Sequence, residues 1–68
     1  MQMIPVPSSN IVSIGYEENT LYVQFHSGTL YAYYNVPESV YHALMTAPSH
    51  GKYLAAHVKG HYAYKRIG

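Results

Sequence analysis

Between residues 10 and 34 the sequence alternates apolar and polar residues in three runs that are separated by polar breaks. The clearest run is residues 21–26, where Leu21, Val23 and Phe25 occupy every second position. A two-residue period is typical of a strand with one buried face, and a helix cannot place residues spaced by two on one stripe. The pattern therefore predicts a β-sheet as the framework of the fold.

The breaks between the runs have turn composition. Residues 17–20 are polar, and Gly28 tolerates the positive φ that a tight hairpin needs. We therefore predict a three-stranded antiparallel meander over residues 10–34. Unbroken alternation would put Ile11, Ser13 and Gly15 on one face of the first strand and residues 12, 14 and 16 on the other. Two prolines lie in residues 1–7, which indicates an extended lead-in without helix.

The second half of the chain has helical signals. Pro37 suits a first helical turn, Asn35 or its neighbour is a candidate cap, and Pro48 closes the segment. The apolar residues recur at helical spacing and should form one stripe on the sheet: Val40, Tyr41, Leu44 and Met45. Ser49 can cap a second, shorter helix that runs from His50 through Ala56 and stops by Gly60.

Residues 61–67 alternate again and predict a final strand. The predicted fold is α+β: a three-stranded antiparallel meander, two short helices and a C-terminal strand, in the order βββααβ. A chain of 68 residues at this hydrophobic content of 49% predicts one packed domain over residues 1–68. It has no cysteine, so no disulfide can stabilise the small core, and self-association into a homo-oligomer is a further expectation.

No apolar run approaches the roughly 20 residues of a membrane span, and residues 1–10 do not resemble a signal peptide. We therefore expect a cytoplasmic protein that does not engage a membrane.

Groups that could perform catalysis are scarce. The three carboxylates are Glu17, Glu18 and Glu38, and the first two share a turn, which is a poor place for an acid–base pair. Of the five histidines, His57 and His61 have the four-residue spacing of metal ligands, but Gly60 lies between them. We expect ordinary surface or capping histidines, no metal, no cofactor and no enzymatic activity.

Tyrosines and cations suggest a binding role instead. The chain has nine Tyr, and its four cations all fall after residue 51. Tyr rings can stack on bases while Lys and Arg contact phosphate, so a sheet with Tyr22, Tyr31 and Tyr33 beside a cationic C-terminal third has the parts for nucleotide recognition. Core packing is the alternative for the Tyr residues, and a solvated face is the alternative for the cations.

Several segments, in order, resemble the KTSC domain family: residues 8–11 and 14–16 (Ser-Ser-Asn-Ile and Ile-Gly-Tyr), 31–37 (Tyr-Ala-Tyr-Tyr-Asn-Val-Pro), 47–53 (Ala-Pro-Ser-His-Gly-Lys-Tyr) and 58–62 with Arg66. The resemblance runs from about Val6 to Ile67. That family takes its name from a C-terminal extension of some lysyl-tRNA synthetases, and it also occurs as free-standing small proteins of bacteria and phages. Ala32 departs from the charged or polar residue that family members often carry there.

The resemblance implies RNA binding through the synthetase association, and it directs attention to Ser49, Gly51 and Lys52 as an anion-binding segment. A plain helix cap and a turn glycine are the alternative for Ser49 and Gly51. The predicted ligand-binding residues are Tyr31, Tyr33, Ser49, Gly51, Lys52, Tyr53, Lys59, Tyr62 and Arg66.

The small number of cations decides between ligand classes. Proteins that hold a long polynucleotide neutralise several phosphates, and four cations with a pI near 8.0 are few for that task. We therefore predict a non-enzymatic module that binds or sequesters a small nucleotide, which could be a cyclic signalling nucleotide by analogy with small phage sponge proteins. The alternatives are an RNA- or tRNA-binding accessory domain and a protein-interaction module with a Tyr-rich face.

Overall fold

The computed structural model describes all 68 residues and has an α+β architecture, as predicted. Five antiparallel strands form one sheet in the order β1-β2-β3-β4-β5. The elements are β1 (Ile4–Pro5), β2 (Ile11–Glu17), β3 (Thr20–Phe25), β4 (Leu30–Tyr33), α1 (Glu38–Thr46), α2 (His50–Tyr53), a π-helical turn (Leu54–Val58) and β5 (Tyr64–Arg66). No helix has the length and apolar character of a membrane-crossing segment.

The prediction of four strands was incomplete because the lead-in joins the sheet. Ile4 and Pro5 form β1 and pair with Ile14 and Ser13 of β2. Proline has no N–H to donate to a ladder, which is acceptable on an edge strand because one side of that strand has no partner.

A β-bulge corrects the predicted faces of β2. Ile11 is opposite Phe25 of β3, but the register shifts before Ser13, which is opposite Gln24. The extra residue turns both Ile11 and Ile14 to the same side, where each is fully buried. Ser13 and Gly15 therefore lie on the outer face of the sheet, away from the helices.

The core lies between the inner face of the sheet and the helical segment. It contains ten residues: Ile11, Ile14, Leu21, Val23, Phe25, Tyr33, Val36, Leu44, Leu54 and Val58. The stripe predicted for α1 is confirmed, since Leu44 is buried and Val40, Tyr41 and Met45 pack against the core. Asn35 does not cap α1. It adopts φ 57° in the preceding turn, and the cap position is Pro37, without a side-chain bond.

The N-terminal residues cover Gly15 on the outer face. A Cβ on Gly15 would lie 2.6 Å from Met3 Sδ and 3.2 Å from the Gln2 carbonyl oxygen. The Met1 amino group also pairs with Glu17 at 3.2 Å. Residues 1–3 therefore form a strap that depends on the absence of a side chain at position 15.

Gly15→Val is expected to lower the free energy of unfolding by about 1 kcal/mol, the low end of the overpacking range, because the nearest strap atoms are methionine sulfurs that can shift. Urea denaturation measures the change. Valine is otherwise favourable in a strand, so the same substitution in a chain lacking residues 1–3 should cost little or nothing. An equal cost in both backgrounds would show that the strap is not its cause.

Candidate functional site

An open cleft of about 340 Å³ lies where β4, β5 and the segment after the π-helical turn meet. It is lined by Tyr31, Tyr33, Lys59, Gly60 and Tyr64. We call it the aromatic cleft. Its floor is hydrophobic, its only charged lining residue is a lysine, and no carboxylate contributes to it.

Strand pairing brings the three rings together. Tyr33 of β4 is opposite Tyr64 of β5, so the two side chains lie on the same face. Tyr31 precedes Tyr33 by two residues in β4 and therefore lies on the same face. The ring centroids of Tyr31 and Tyr64 are 5.9 Å apart, and those of Tyr33 and Tyr64 are 5.8 Å apart. The prediction that Tyr31 and Tyr33 share a face is confirmed.

The depth of the rings differs. Tyr33 is only 3% exposed and belongs to the core, whereas Tyr31 is half-buried and Tyr64 is 62% exposed. Tyr64 therefore offers most of the ring surface that a planar ligand could stack on, while Tyr33 supports it from below.

The π-helical turn positions Lys59. Its backbone N–H donates to the Leu54 carbonyl at 2.9 Å, which closes the wide turn, and Gly60 then reverses the chain with φ 82°. The ammonium of Lys59 lies 5.3 Å from the centroid of the Phe25 ring. This cation–π contact holds the charge at the rim of the cleft. π-helical turns are rare and occur frequently at functional sites.

The environment of Tyr33 favours its neutral hydroxyl. Burial raises its pKa above the ordinary value of 10.0, and the neighbouring Tyr31 and Tyr64 hydroxyls raise it further. The cleft thus keeps a neutral hydroxyl, which can donate a hydrogen bond, across the physiological range.

Alkaline pH should destabilise the fold through Tyr33. The pKa of Tyr33 is raised in the folded state, so folding favours the neutral hydroxyl. Its contribution to stability is complete below the unfolded pKa of about 10 and is lost as the pH rises through the pKa of the folded state. Chemical denaturation between pH 8 and 11 should show stability falling above pH 10. The loss of stability above pH 10 should be smaller in Tyr33→Phe than in the wild-type chain. It should equal the wild-type loss in Tyr34→Phe, which removes an exposed hydroxyl instead. Equal falls in all three proteins would contradict this assignment.

Two further depressions extend from the cleft. The first, of about 290 Å³, shares Tyr31 and Lys59 with the cleft and adds Asn10, Phe25, Ser27 and Thr29. The second, of about 360 Å³, shares Asn10 with the first, and six of its nine lining residues have polar side chains. We call these the middle depression and the serine depression. The polar residues of the serine depression are Ser8, Ser9, Asn10, Ser49, His50 and Lys52.

The predicted site residues divide between these places. Tyr31, Tyr33 and Lys59 lie in the aromatic cleft. Ser49, Gly51 and Lys52 lie in the serine depression instead, and Ser49 caps α2 by accepting the Lys52 N–H at 3.3 Å, as predicted.

The remaining predicted residues lie outside the cleft. Tyr53 lines a fourth depression and packs its ring 4.4 Å from that of His57, and Tyr62 packs against the core. Arg66 is opposite Tyr31 on β5, but its Nε donates to the Gly68 carbonyl at 3.1 Å and it does not line the cleft. Tyr22 of β3 is opposite Ala32, on the outer face of the sheet, and so lies away from Tyr31 and Tyr33.

Sequence reasoning missed Tyr64 and Gly60 of the cleft and Ser8, Ser9 and Asn10 of the serine depression. Alternation in the last segment pointed equally to Tyr62 and Tyr64, but β5 begins only at Tyr64 and Tyr62 lies in the bend before it. Residues 8–10 belong to a segment that resembles the KTSC domain family, and this resemblance is the one signal in the sequence that marks them.

The charged residues that line the four depressions are cationic. None of the four depressions is lined by a carboxylate, whereas Lys59 lines two of them and Lys52 the other two. Glu17 and Glu18 lie at the β2–β3 turn and Glu38 begins α1. An anionic ligand would therefore meet cations without a neighbouring acidic repulsion.

The histidines have local partners. His26, His50 and His61 each bond a backbone carbonyl at 3.0, 2.8 and 3.1 Å. His42 lies 3.5 Å from Glu38. No group of three or more His, Cys, Asp or Glu side chains is placed to hold a metal ion. The expectation that the protein uses no metal stays a prediction.

Comparison with known proteins identifies relatives over nearly the whole chain. The model of the KTSC domain matches residues 7–62. An uncharacterized protein of Stutzerimonas stutzeri (strain A1501) is 41% identical over 70 residues, which cover 98% of this chain and 99% of that protein. The crystal structure of a KTSC domain protein from Yersinia pestis superposes with a TM-score of 0.94 at 39% identity, over 98% of this chain and 97% of the other.

A second kind of relative is much longer. A lysine–tRNA ligase of Nostoc punctiforme is 36% identical over 61 residues, which is 87% of this chain but only 11% of the ligase. The ligase of Nostoc sp. (strain PCC 7120) matches over 48 residues at 40% identity, 71% of this chain and 9% of the ligase.

Proposed function

The chain belongs to the KTSC domain family, and we propose that its aromatic cleft binds a nucleotide. The base stacks on the exposed ring of Tyr64, and the phosphate meets the ammonium of Lys59. The protein acts by binding or sequestering this ligand, without catalysis, since the cleft is lined by neither a carboxylate nor an imidazole that could serve as a general base.

The observation that carries the proposal is the combination of an exposed aromatic ring and an unopposed cation in one concave site. Tyr64 is 62% exposed although it contacts two other tyrosines, which leaves ring surface for a planar partner. Stacking of a base on an aromatic side chain contributes about 1–3 kcal/mol. A lysine without a carboxylate partner then selects anionic ligands over neutral aromatic ones.

The size of the cleft supports a small ligand. Its volume of about 340 Å³ is at the lower end of the range of small-molecule sites. One cation lines it, which matches one phosphate group rather than the many that a long strand would present. Cyclic signalling nucleotides belong to the same ligand class and should be included in any test.

RNA binding is the second candidate, and a specific observation favours it. Lysine–tRNA ligases of Nostoc sp. (strain PCC 7120) and Nostoc punctiforme contain a segment similar to this chain. Beyond the aromatic cleft lie the middle and serine depressions, neither of which is lined by a carboxylate, and together they would suit a few consecutive nucleotides of a single strand. A domain attached to such a ligase would gain from contacts to tRNA even if each were weak.

Thermal denaturation with a panel of ligands tests the proposal. Mononucleotides, cyclic dinucleotides and a short single-stranded RNA should be compared at two salt concentrations. A small nucleotide at 100 times its dissociation constant should stabilise the protein by about 2.7 kcal/mol, or roughly 10–20 °C for a chain of this size. The shift should depend weakly on salt, whereas stabilisation by RNA should fall steeply with salt. Stabilisation by no nucleotide and no RNA would refute the proposal and leave a protein partner as the alternative.

A further inference from the structure

We propose that the serine depression is a second phosphate subsite, so that the full ligand is two nucleotide units joined through phosphate. The first unit lies in the aromatic cleft, and the ligand continues across the middle depression toward Ser49 and Lys52. The inference rests on the proposed function of the cleft and adds the class of ligand to it.

Shared lining residues make the three depressions successive neighbours. Tyr31 and Lys59 border both the aromatic cleft and the middle depression, and Asn10 borders both the middle and the serine depressions. A ligand that extends from the cleft toward Lys52 would therefore contact Tyr31 or Lys59 and then Asn10 on its way. Ser27 and Thr29, whose hydroxyls are 3.0 Å apart, line the middle of this path.

The serine depression contains two hydroxyl groups that are free to donate, those of Ser8 and Ser49. The Ser8 hydroxyl oxygen already accepts the N–H groups of Asn10 and Ile11 at 3.2 and 3.1 Å. The Ser49 hydroxyl oxygen accepts the N–H of Lys52. In both cases the oxygen is occupied while the O–H hydrogen is available to donate. Two such hydroxyls beside an ammonium fit a phosphate oxygen and disfavour a cation.

The two ends of the surface differ in chemistry. The aromatic cleft has three lining hydrophobic residues, whereas only one of the nine residues that line the serine depression is hydrophobic. A base therefore belongs in the cleft, and the sugar–phosphate portion of the next unit belongs in the serine depression. A free dinucleotide and a short stretch of single-stranded RNA share this chemistry.

Affinities for mono- and dinucleotides, measured by isothermal titration calorimetry, test the inference. AMP and UMP are compared with pApA and pUpU on the wild-type chain and on two variants. Lys52→Gln removes the charge of the subsite, and its side chain is exposed, so folding is preserved. Lys65→Gln makes the same change in charge on the outer face, where Lys65 is opposite Ala32.

The wild-type chain should bind at least one dinucleotide about tenfold more tightly than the matching mononucleotide, the effect of one charge-assisted contact. Lys52→Gln should remove most of this advantage and leave mononucleotide affinity unchanged, and Lys65→Gln should retain it. An octanucleotide that binds more tightly per site than the dinucleotide would identify RNA as the source of the ligand, and equal affinity would identify a free dinucleotide.

Two outcomes overturn the inference. If mono- and dinucleotides bind equally, or if Lys52→Gln weakens both alike, the serine depression is not a second phosphate subsite, although the function proposed for the cleft stands. If no nucleotide binds at all, the proposed function itself fails and the inference fails with it.

Discussion

Lys59→Gln is expected to weaken nucleotide binding by about 10- to 100-fold. A hydrogen bond between a charged group and its partner contributes about 1.5–3 kcal/mol, and each 1.4 kcal/mol is a factor of ten in affinity. Lys59 is the only charged residue that lines the aromatic cleft, so no neighbour can replace it. Calorimetry or a fluorescence titration with the nucleotide found in the thermal screen measures the loss.

Lys65→Gln is the matched control for this experiment. It makes the same change in net charge, but Lys65 is opposite Ala32 and lies on the outer face of the sheet. Its affinity should stay within about twofold of the wild-type value, since a charge across the sheet is screened. Equal losses in the two variants would mean that binding depends on overall charge and not on the cleft.

Leu54→Ala is expected to cost about 2–5 kcal/mol of folding stability, the usual range for a truncated core leucine. Leu54 is fully buried where α2 passes into the π-helical turn, and it belongs to the ten-residue core. A chain of 68 residues has a total stability of only about 3–10 kcal/mol. The variant should therefore melt at least 10 °C lower, with a substantial unfolded fraction at 37 °C.

Ile67→Ala provides the comparison. Ile67 is 46% exposed after β5, and surface substitutions of this kind usually change stability by less than about 0.5 kcal/mol. Urea denaturation of both variants gives the two differences directly. A cost below 1 kcal/mol for Leu54→Ala would show that the helical segment does not close the core, and the placement of Lys59 would then lose its support.

Much of the fold follows from local patterns. The alternation in residues 21–26 predicted β3 correctly, because one face of that strand is buried and the other is not. The pair of helices followed from the Pro37 and Pro48 boundaries, the apolar stripe of α1 and the Ser49 cap. These signals act within a few residues, so the sequence alone carries them.

Features that depend on distant partners could not be predicted in this way. The β-bulge of β2 reverses the faces of Ser13 and Gly15, and only the pairing with β3 reveals it. The lead-in forms β1 because β2 offers an edge to it, whereas the two prolines indicated only an extended segment. The π-helical turn has no local signal that distinguishes it from an ordinary helix.

The candidate site also combines residues that local patterns identify with residues that only the folded chain brings into place. Tyr31, Tyr33 and Lys59 were identified from residue type and alternation, and the structure brings them together. Tyr64 rather than Tyr62 lines the cleft because β5 begins only at Tyr64, a boundary that alternation did not mark. The separation of Lys52 from the cleft depends on the path of the chain through the π-helical turn, which composition does not encode.

The most direct test of nucleotide binding in the cleft is a titration of the ¹⁵N-labelled chain with AMP and UMP, followed by backbone amide chemical shifts. The proposal predicts saturable shifts at Gly60, Tyr64 and Tyr31, and no change at Glu18 in the β2–β3 turn. Shifts that are absent at saturating nucleotide, or confined to residues on the outer face of the sheet, would contradict it.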